Sequence, residues 1–372
     1  MERNYDLDHS IEYNSIDDSI KEDTQMSRMR SLGNTGLFCP QIIYGTSYLG
    51  NLYRELSEVE KLSLMQEWFN VADGKVMIDS AGKYGAGLAL EVIGQGLEKL
   101  CIDPSQVTIS NKLGWYRVPL SSPEPTFEPG AWANLKYDAV QKISYNGILE
   151  CWQQGCELLG GKYKPEIVSV HDPDEYLMAA TDDKDRQKRM DEILGAYKAL
   201  FKLKEKGEVK AVGIGSKDWL IIKELYEKMK FDWVMFANKF TVYHHPKAIV
   251  DFIVQLEKDG VGIINSAIFN AGFLTGGKYF DYRVVDSENP ADRHLFAWRE
   301  KFFAVCKKHN VSPGDACLKF ALSAPQITAI AINPSKPHRM AHNKTVLNQE
   351  FPEAFWANLK SEKIIEVEYP YL

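Results

Sequence analysis

The sequence predicts an α/β protein, specifically a (β/α)8 barrel with an N-terminal β-hairpin plug and extra helices. Three observations carry this. Short apolar runs alternate with helical patterns eight times between residues 42 and 348. Strand then helix, repeated, implies parallel strands joined by crossover helices, and eight such units is the number that closes a barrel. The runs are also apolar almost throughout rather than alternating, as befits strands buried on both faces.

Residues 1–27 are polar and acid-rich, with isolated apolar residues and no sustained period. Such a composition favours a flexible arm, a helical cap being the alternative. The remainder, 28–372, reads as a single barrel domain, because no linker rich in Pro, Gly or Ser interrupts residues 40–350. Met29-Arg30-Ser31-Leu32 and Leu37-Phe38-Cys39-Pro40, joined by Gly33-Asn34-Thr35-Gly36, predict a β-hairpin placed to plug the barrel's bottom. Strands are expected at 42–45, 76–79, 107–112, 167–171, 211–214, 233–237, 261–265 and 329–332. Helices are expected at 57–72, 87–99, 139–159, 190–206, 218–229, 247–258, 312–323 and 338–348, with an extra one at 293–308. The stretch 114–136 carries four prolines and is long for a connector. Following the third strand, it should hang over the carboxyl face. Residues 276–292 form a second candidate lid.

Composition narrows the function. With 45% hydrophobic and 26% charged residues, the chain is of ordinary globular type. A net charge of −7 gives no basic footprint for nucleic acid. No apolar run approaches the ~20 residues that span a bilayer, and no signal-peptide pattern opens the chain. The six cysteines include no CxxC pair. A reduced cytoplasmic setting, without membrane or nucleic-acid partners, is the expectation.

The strand ends then supply chemistry. Val76-Met77-Ile78 ends in Asp79, and Tyr84 follows between Gly82 and Gly85. Lys112 ends the third strand and His171 the fourth. In a barrel these four converge on one mouth. A phenol ordinarily titrates near ~10, which makes it a poor acid or base at neutral pH, and a neighbouring ammonium brings it down. Lys112 can supply that charge, Asp79 can hold Lys112, and His171 can orient a substrate oxygen. A tuned phenol suits proton transfer at a hydroxyl or carbonyl oxygen while hydride moves at carbon; no side chain carries hydride, so a nicotinamide must. Tyr48, Tyr53, Trp115, Tyr116 and Trp132 are candidates for an apolar wall against a sugar ring, with Asn51 and Arg54 reading hydroxyls. Lys112 would equally fit a Schiff-base aldolase. A metal-dependent hydrolase is disfavoured, because the first strand ends in Tyr44-Gly45-Thr46-Ser47. A glycoside hydrolase needs two carboxylates, and only Asp79 is evident.

At Asp79-x4-Tyr84, Asn111-Lys112 and His171 the chain resembles the aldo-keto reductase superfamily, over about residues 30–350. The resemblance implies a TIM barrel, and a tetrad in which Tyr84 is the general acid/base, with Asp79, Lys112 and His171 beside it. It also implies NADP(H) or NAD(H) held without a Rossmann domain. Val170-His171-Asp172-Pro173-Asp174, Gly195-Ala196-Tyr197-x-Ala199-Leu200, Val209-Lys210-Ala211-Val212-Gly213 and Phe269-Asn270-Ala271-Gly272 are similar to the sugar-oxidising branch of D-threo-aldose 1-dehydrogenases, L-fucose dehydrogenases and L-galactose dehydrogenases. Residues 332–343 resemble the family's cofactor segment, which implies contacts from Asn333, Ser335, Lys336, Arg339, His342 and Asn343. Residues 268–276 resemble its pyrophosphate loop, implying Phe269, Asn270, Gly272, Leu274 and Gly276; Gly45 and Ser216 complete the set. Asn333-Pro334 and His342 depart from the residues that often meet the 2′-phosphate, so NAD stands beside NADP. The resulting expectation is oxidation of C1 of an aldopyranose of L-fucose, L-galactose or D-arabinose type to the lactone, by a monomer or small homo-oligomer. Reduction of small aldehydes or ketones is the alternative.

Overall fold

The computed structural model describes residues 29–281 and 283–372; the acid-rich arm lies outside the described residues. Eight parallel strands close a barrel: β1 Ile42–Gly45, β2 Val76–Ala81, β3 Val107–Leu113, β4 Ile167–His171, β5 Ala211–Ser216, β6 Trp233–Ala237, β7 Gly262–Ser266 and β8 Ala329–Ile332. Each pairs with its successor, and β8 returns to β1 through Ile330 opposite Ile42. Around them run α1 Glu58–Val71, α2 Leu88–Lys99, α3 Tyr145–Leu158, α4 Asp183–Glu205, α5 Trp219–Lys228, α6 Lys247–Lys258, α7 Arg293–Lys308, α8 Pro313–Ala321, α9 His338–Leu347 and α10 Glu353–Ser361.

Periodicity explains why these segments are helices. In α6, Ile249, Val250, Phe252, Ile253 and Leu256 are buried on one stripe, while Lys247 and Asp251 pair in solvent. The strands are buried along nearly their whole length, and β2, β3, β4, β5, β7 and β8 throughout. Among the described residues no helix is long and apolar enough to cross a membrane.

The hairpin forms as expected, with Met29–Ser31 antiparallel to Phe38–Pro40. Its turn docks under the barrel: the Asn34 N–H donates to the Gly260 carbonyl at 2.8 Å. Leu32 is fully buried and joins Ile43, Met77, Ile167, Trp233 and Ile264 in the barrel interior. The hairpin therefore closes the amino-terminal end.

Two helix boundaries differ from the periodicity. Residues 137–141 are not helical; Tyr137–Gln141 pairs antiparallel with Trp115–Pro119 as a ribbon. α3 starts only at Tyr145, where the Ser144 hydroxyl accepts the Gly147 N–H at 3.1 Å. Conversely α4 begins at Asp183, seven residues earlier than residue 190. Asp182 caps it by accepting the Asp185 N–H at 2.8 Å, and its first two turns are too polar and exposed to show an apolar stripe.

Three loops meet over the carboxyl end. The 115–141 insertion is fastened to the loop after β1 by the bridge Leu52–Trp132 and by the Tyr53 N–H donating to the Ala131 carbonyl at 2.7 Å. The 276–292 segment forms a two-residue ribbon, Tyr279–Phe280 against Arg283–Val284. The rings of Tyr53 and Tyr279 stack at 5.2 Å, which joins the first loop to this second lid.

Candidate active site

Strand register brings the four strand-end residues together. Asp79 lies opposite Ser110, Ala81 opposite Lys112, Lys112 opposite Ser169, and His171 opposite Gly215. Asp79, Lys112 and His171 are all buried. Tyr84 follows β2 through a turn in which its N–H donates to the Ala81 carbonyl at 3.1 Å. Its position is set by a backbone contact. Gly85 has φ +62°, and a Cβ there would sit 2.4 Å from the Gly50 carbonyl oxygen, so only glycine fits.

Lys112 and Asp79 form a buried ion pair. The Lys112 Nζ lies over the Tyr84 ring, 4.9 Å from its centroid. The His171 ring meets the Tyr84 ring edge-on at 5.7 Å, and the Trp132 ring lies 5.9 Å from Tyr84 on another side. His171 Nδ1 and Asp79 Oδ1 are buried polar atoms without a hydrogen-bond partner. A mouth that leaves such atoms unsatisfied is one prepared for a polar guest. Among the described residues no cluster of His, Cys, Asp and Glu could hold a metal.

Electrostatics depart from expectation in one respect. Burial pushes the Tyr84 phenol well above its ordinary value, with the Asp79 and Asp172 carboxylates adding to the rise; Lys83 opposes them. The expected lowering by Lys112 does not win, because Lys112 is already neutralised by Asp79 and desolvation dominates. His171 is held well below the usual imidazole value by burial and then by Lys83 and Lys112, so it is neutral. An ammonium paired to a carboxylate is also a poor amine nucleophile, which weakens the Schiff-base alternative.

A charged hub beside the tetrad escaped sequence reasoning. Lys83 is 3% exposed and meets Glu128 at 2.7 Å, Glu175 at 3.2 Å and Asp172 at 3.5 Å. Asp172 is also 3.4 Å from His171 Nε2. Between Gly82 and Tyr84 a lysine reads as an ordinary loop charge, and its partners come from residues 45 to 92 positions away.

The aromatic candidates divide. Trp115, Trp132, Phe127 and Leu52 share one cluster with Tyr84, and Tyr48 and Tyr84 both pack against a second one. Tyr116 does not join them. Strand alternation turns it to the α3 side, under the Lys142 ammonium at 4.1 Å. Asn51 is buried as the left-handed cap of a short helix, and its amide donates to the Ala133 carbonyl at 3.2 Å. It ties two loops together, and its Oδ1 is a buried atom without a hydrogen-bond partner.

The residues expected to meet a cofactor lie at and after the ends of β1, β5, β7 and β8. Gly45 lies where a Cβ would be 3.3 Å from the Asn333 Cβ, and Asn333 hydrogen-bonds Ser47. Ser216 ends β5, with its hydroxyl in a turn around Asp218. Phe269 is half-buried at the seam of the two largest apolar clusters. Asn270 donates to Asp281 at 3.2 Å, and its Oδ1 is an unpartnered buried atom. Gly272 faces open space; the Gly276 N–H donates to the Phe273 carbonyl at 3.1 Å. The side chain of Leu274 is fully buried in the core and its N–H donates to the Phe269 carbonyl, so its side chain is structural. Ser335 is half-buried, Lys336 and Arg339 are exposed, and Asn343 is buried. α9 begins without a side-chain cap, although Pro337 has no N–H and those of Arg339 and Met340 bond within the turn. His342 is committed to Asp315 at 2.8 Å. The orphan at Asn270 and the open face at Gly272 leave room for a polar group at the end of β7.

Comparison with known proteins gives the same direction. A sequence model of the Aldo/keto reductase family matches residues 41–363. The chain is 26% identical over 356 residues to a pyridoxal 4-dehydrogenase of Microbacterium luteolum, covering 91% of this chain and 98% of that one. It is 24% identical to a D-threo-aldose 1-dehydrogenase of a Pseudomonas species, with 89% and 96% covered. It is 21% identical to an L-galactose dehydrogenase of Arabidopsis thaliana, with 86% and 88% covered. Among solved structures, an aldo-keto reductase from Bacillus halodurans in its holo form superposes with TM-score 0.65 at 16% identity, covering 91% of this chain and 96% of that one.

Proposed function

The chain belongs to the aldo/keto reductase family and is an oxidoreductase, and from that premise we propose that it oxidises the hemiacetal carbon of a small cyclic sugar to a lactone. The preferred substrate is an aldopyranose of L-fucose, L-galactose or D-arabinose type, oxidised at C1. Pyranoses and pyridoxal share a chemical form: an aldehyde closed by a hydroxyl of the same molecule into a cyclic hemiacetal. The names of the relatives thus support a lactol as the common substrate class.

The observation that carries the reading is Tyr84, seated at the mouth between the Lys112–Asp79 pair and a neutral His171. NAD(P)+ supplies a hydride acceptor when bound. Tyr84 takes the hydroxyl proton as the carbon loses hydride and becomes a carbonyl. Neutral His171 can hydrogen-bond the reacting oxygen without competing for the proton, and Lys112 with Asp79 keeps a cation beside the phenol. The aromatic faces of Trp115 and Trp132 suit the C–H face of a ring, while Asn333, Ser335, Lys336, Arg339 and Asn343 would hold the dinucleotide's adenosine end.

The raised phenol pKa favours a second reading as well. A protonated phenol is a ready donor, so the same site can reduce small aldehydes or ketones, hydride arriving at carbon and the Tyr84 proton at oxygen. The test is a panel of L-fucose, L-galactose, D-arabinose, pyridoxal and simple aldehydes, with NAD and NADP in both directions, read at the reduced-cofactor absorbance. Turnover of a lactol that is lost in Tyr84→Phe is expected. No turnover of any lactol, or full turnover by Tyr84→Phe, would overturn the proposal.

A further inference from the structure

We infer that Lys83 is a positioning residue for this reaction, a buried cation that clamps the 115–141 insertion onto the site and holds the Tyr84–His171 pair in register. This rests on the reading of Tyr84 given above.

Two arms leave the Lys83 ammonium. The first runs to the insertion: Glu128 accepts from Lys83 through Oε1 at 2.7 Å, and its Oε2 accepts the Trp132 indole N–H at 2.7 Å. Trp132 in turn lies against Tyr84. Lys83 also sits over the Trp115 ring, 5.1 Å from its centroid. The second arm runs to β4: Asp172 lies 3.5 Å from Lys83 and 3.4 Å from His171 Nε2. Glu175 completes the set at 3.2 Å and is shared with Lys217 at 2.5 Å. One cation thus joins a lid aromatic and a site imidazole that otherwise belong to separate elements.

The position requires a charge as well as a shape. An ammonium that is 3% exposed survives burial only because carboxylates surround it. Removing it leaves Glu128, Asp172 and Glu175 facing one another, so the insertion loses its tether and Asp172 loses the partner that fixes it beside His171. The groups facing the Tyr84 phenol are Asp79 from β2, Lys112 from β3, His171 and Asp172 from β4, Glu128 from the insertion, and Lys83 itself. Lys83 supports the phenolate among them, and its loss moves ionisation of Tyr84 upward.

The experiment compares Lys83→Met, Lys83→Arg and Glu128→Gln with the wild-type enzyme, on the best lactol of the panel and across pH. Lys83→Met is expected to lower kcat about ten-fold, to raise KM, and to move the alkaline rise of kcat up by about one pH unit. Lys83→Arg, which keeps the charge, is expected to restore the wild-type midpoint. Glu128→Gln, which weakens the insertion arm and removes a carboxylate that raises the Tyr84 phenol, is expected to raise KM about three-fold and to move the alkaline rise slightly down, opposite to Lys83→Met. Unchanged kcat, KM and midpoint in Lys83→Met overturn the inference. Should Lys83→Met fail to fold, Glu128→Gln decides, an unchanged KM being the overturning result. Hydrogen exchange of peptides from 120–136 separates this inference from the function itself. Faster exchange in Lys83→Met and Glu128→Gln supports the clamp even if no lactol is turned over, and wild-type exchange in both removes it.

Discussion

On the proposed reading Tyr84, Lys112 and Asp79 act as a unit, and each substitution has its own expected signature. Tyr84→Phe should retain the fold and lower kcat by about 10²- to 10⁴-fold, the usual worth of a positioned acid/base, measured by steady-state kinetics on the best lactol. Because burial raises the phenol and oxidation needs it ionised, kcat for oxidation should climb with pH beyond neutrality, while reduction, which uses the protonated form, should not. An oxidation rate that stays flat from about pH 7 to about pH 10 contradicts this. Lys112→Met leaves Asp79 as a buried carboxylate without its cation, and should destabilise the fold by about 3–5 kcal/mol. Adding Asp79→Asn should recover most of that stability in urea melts without recovering turnover. At this scale the sequence was informative where a polar residue ended an apolar run, as with Asp79, Lys112 and His171. It was silent on Lys83, whose meaning comes from Glu128, Asp172 and Glu175, brought near only by the closed fold. It did not show that Tyr116 turns away from the mouth or that Asn51 bridges two loops, because side-chain direction depends on backbone geometry, ribbon alternation in the first and a left-handed φ of 66° in the second.

Elements show the same division. Strand positions were legible because burial on both faces writes a continuous apolar run, as in Ile167–His171 and Trp233–Ala237. The ribbon Trp115–Pro119 with Tyr137–Gln141 was not, since a two-stranded pair with one exposed face carries mixed polarity. Inside the barrel, β5 and β6 meet tightly. A Cβ on Gly213 would stand 2.2 Å from the Trp233 ring, so Gly213→Ala should cost about 3 kcal/mol through overpacking, seen as a lower thermal midpoint. At the end of β8, the Asp315 carboxylate of α8 holds His342 of α9. On the reading that residues 332–343 hold the adenosine end, that carboxylate would disfavour a 2′-phosphate, and we expect a preference for NAD. Asp315→Asn should tighten NADPH binding by about two- to five-fold, with NADH binding unchanged, as measured by quenching of intrinsic fluorescence.

For the whole molecule, stability depends on groups far from the mouth as well as on those within it. His171 and His245 are both buried and neutral, His245 being pushed down to about 4 by burial. In the unfolded chain both titrate near ~6.5. Below that pH the unfolded chain therefore binds more protons than the folded one, and stability should rise as pH increases from about 5 to about 7.5. A urea-unfolding series across that range checks the sign; a flat or falling trend contradicts it.

The hairpin that carries Leu32 into the amino-terminal end fills that end of the barrel interior, so among the described residues the strand-end site faces outward at the carboxyl end. On the proposed reading, sugar and dinucleotide would share that end, and the guest seated deeper would enter first and depart last. Turnover should then follow a compulsory sequence, and the later step of departure is the natural place for the pace of the cycle to be set.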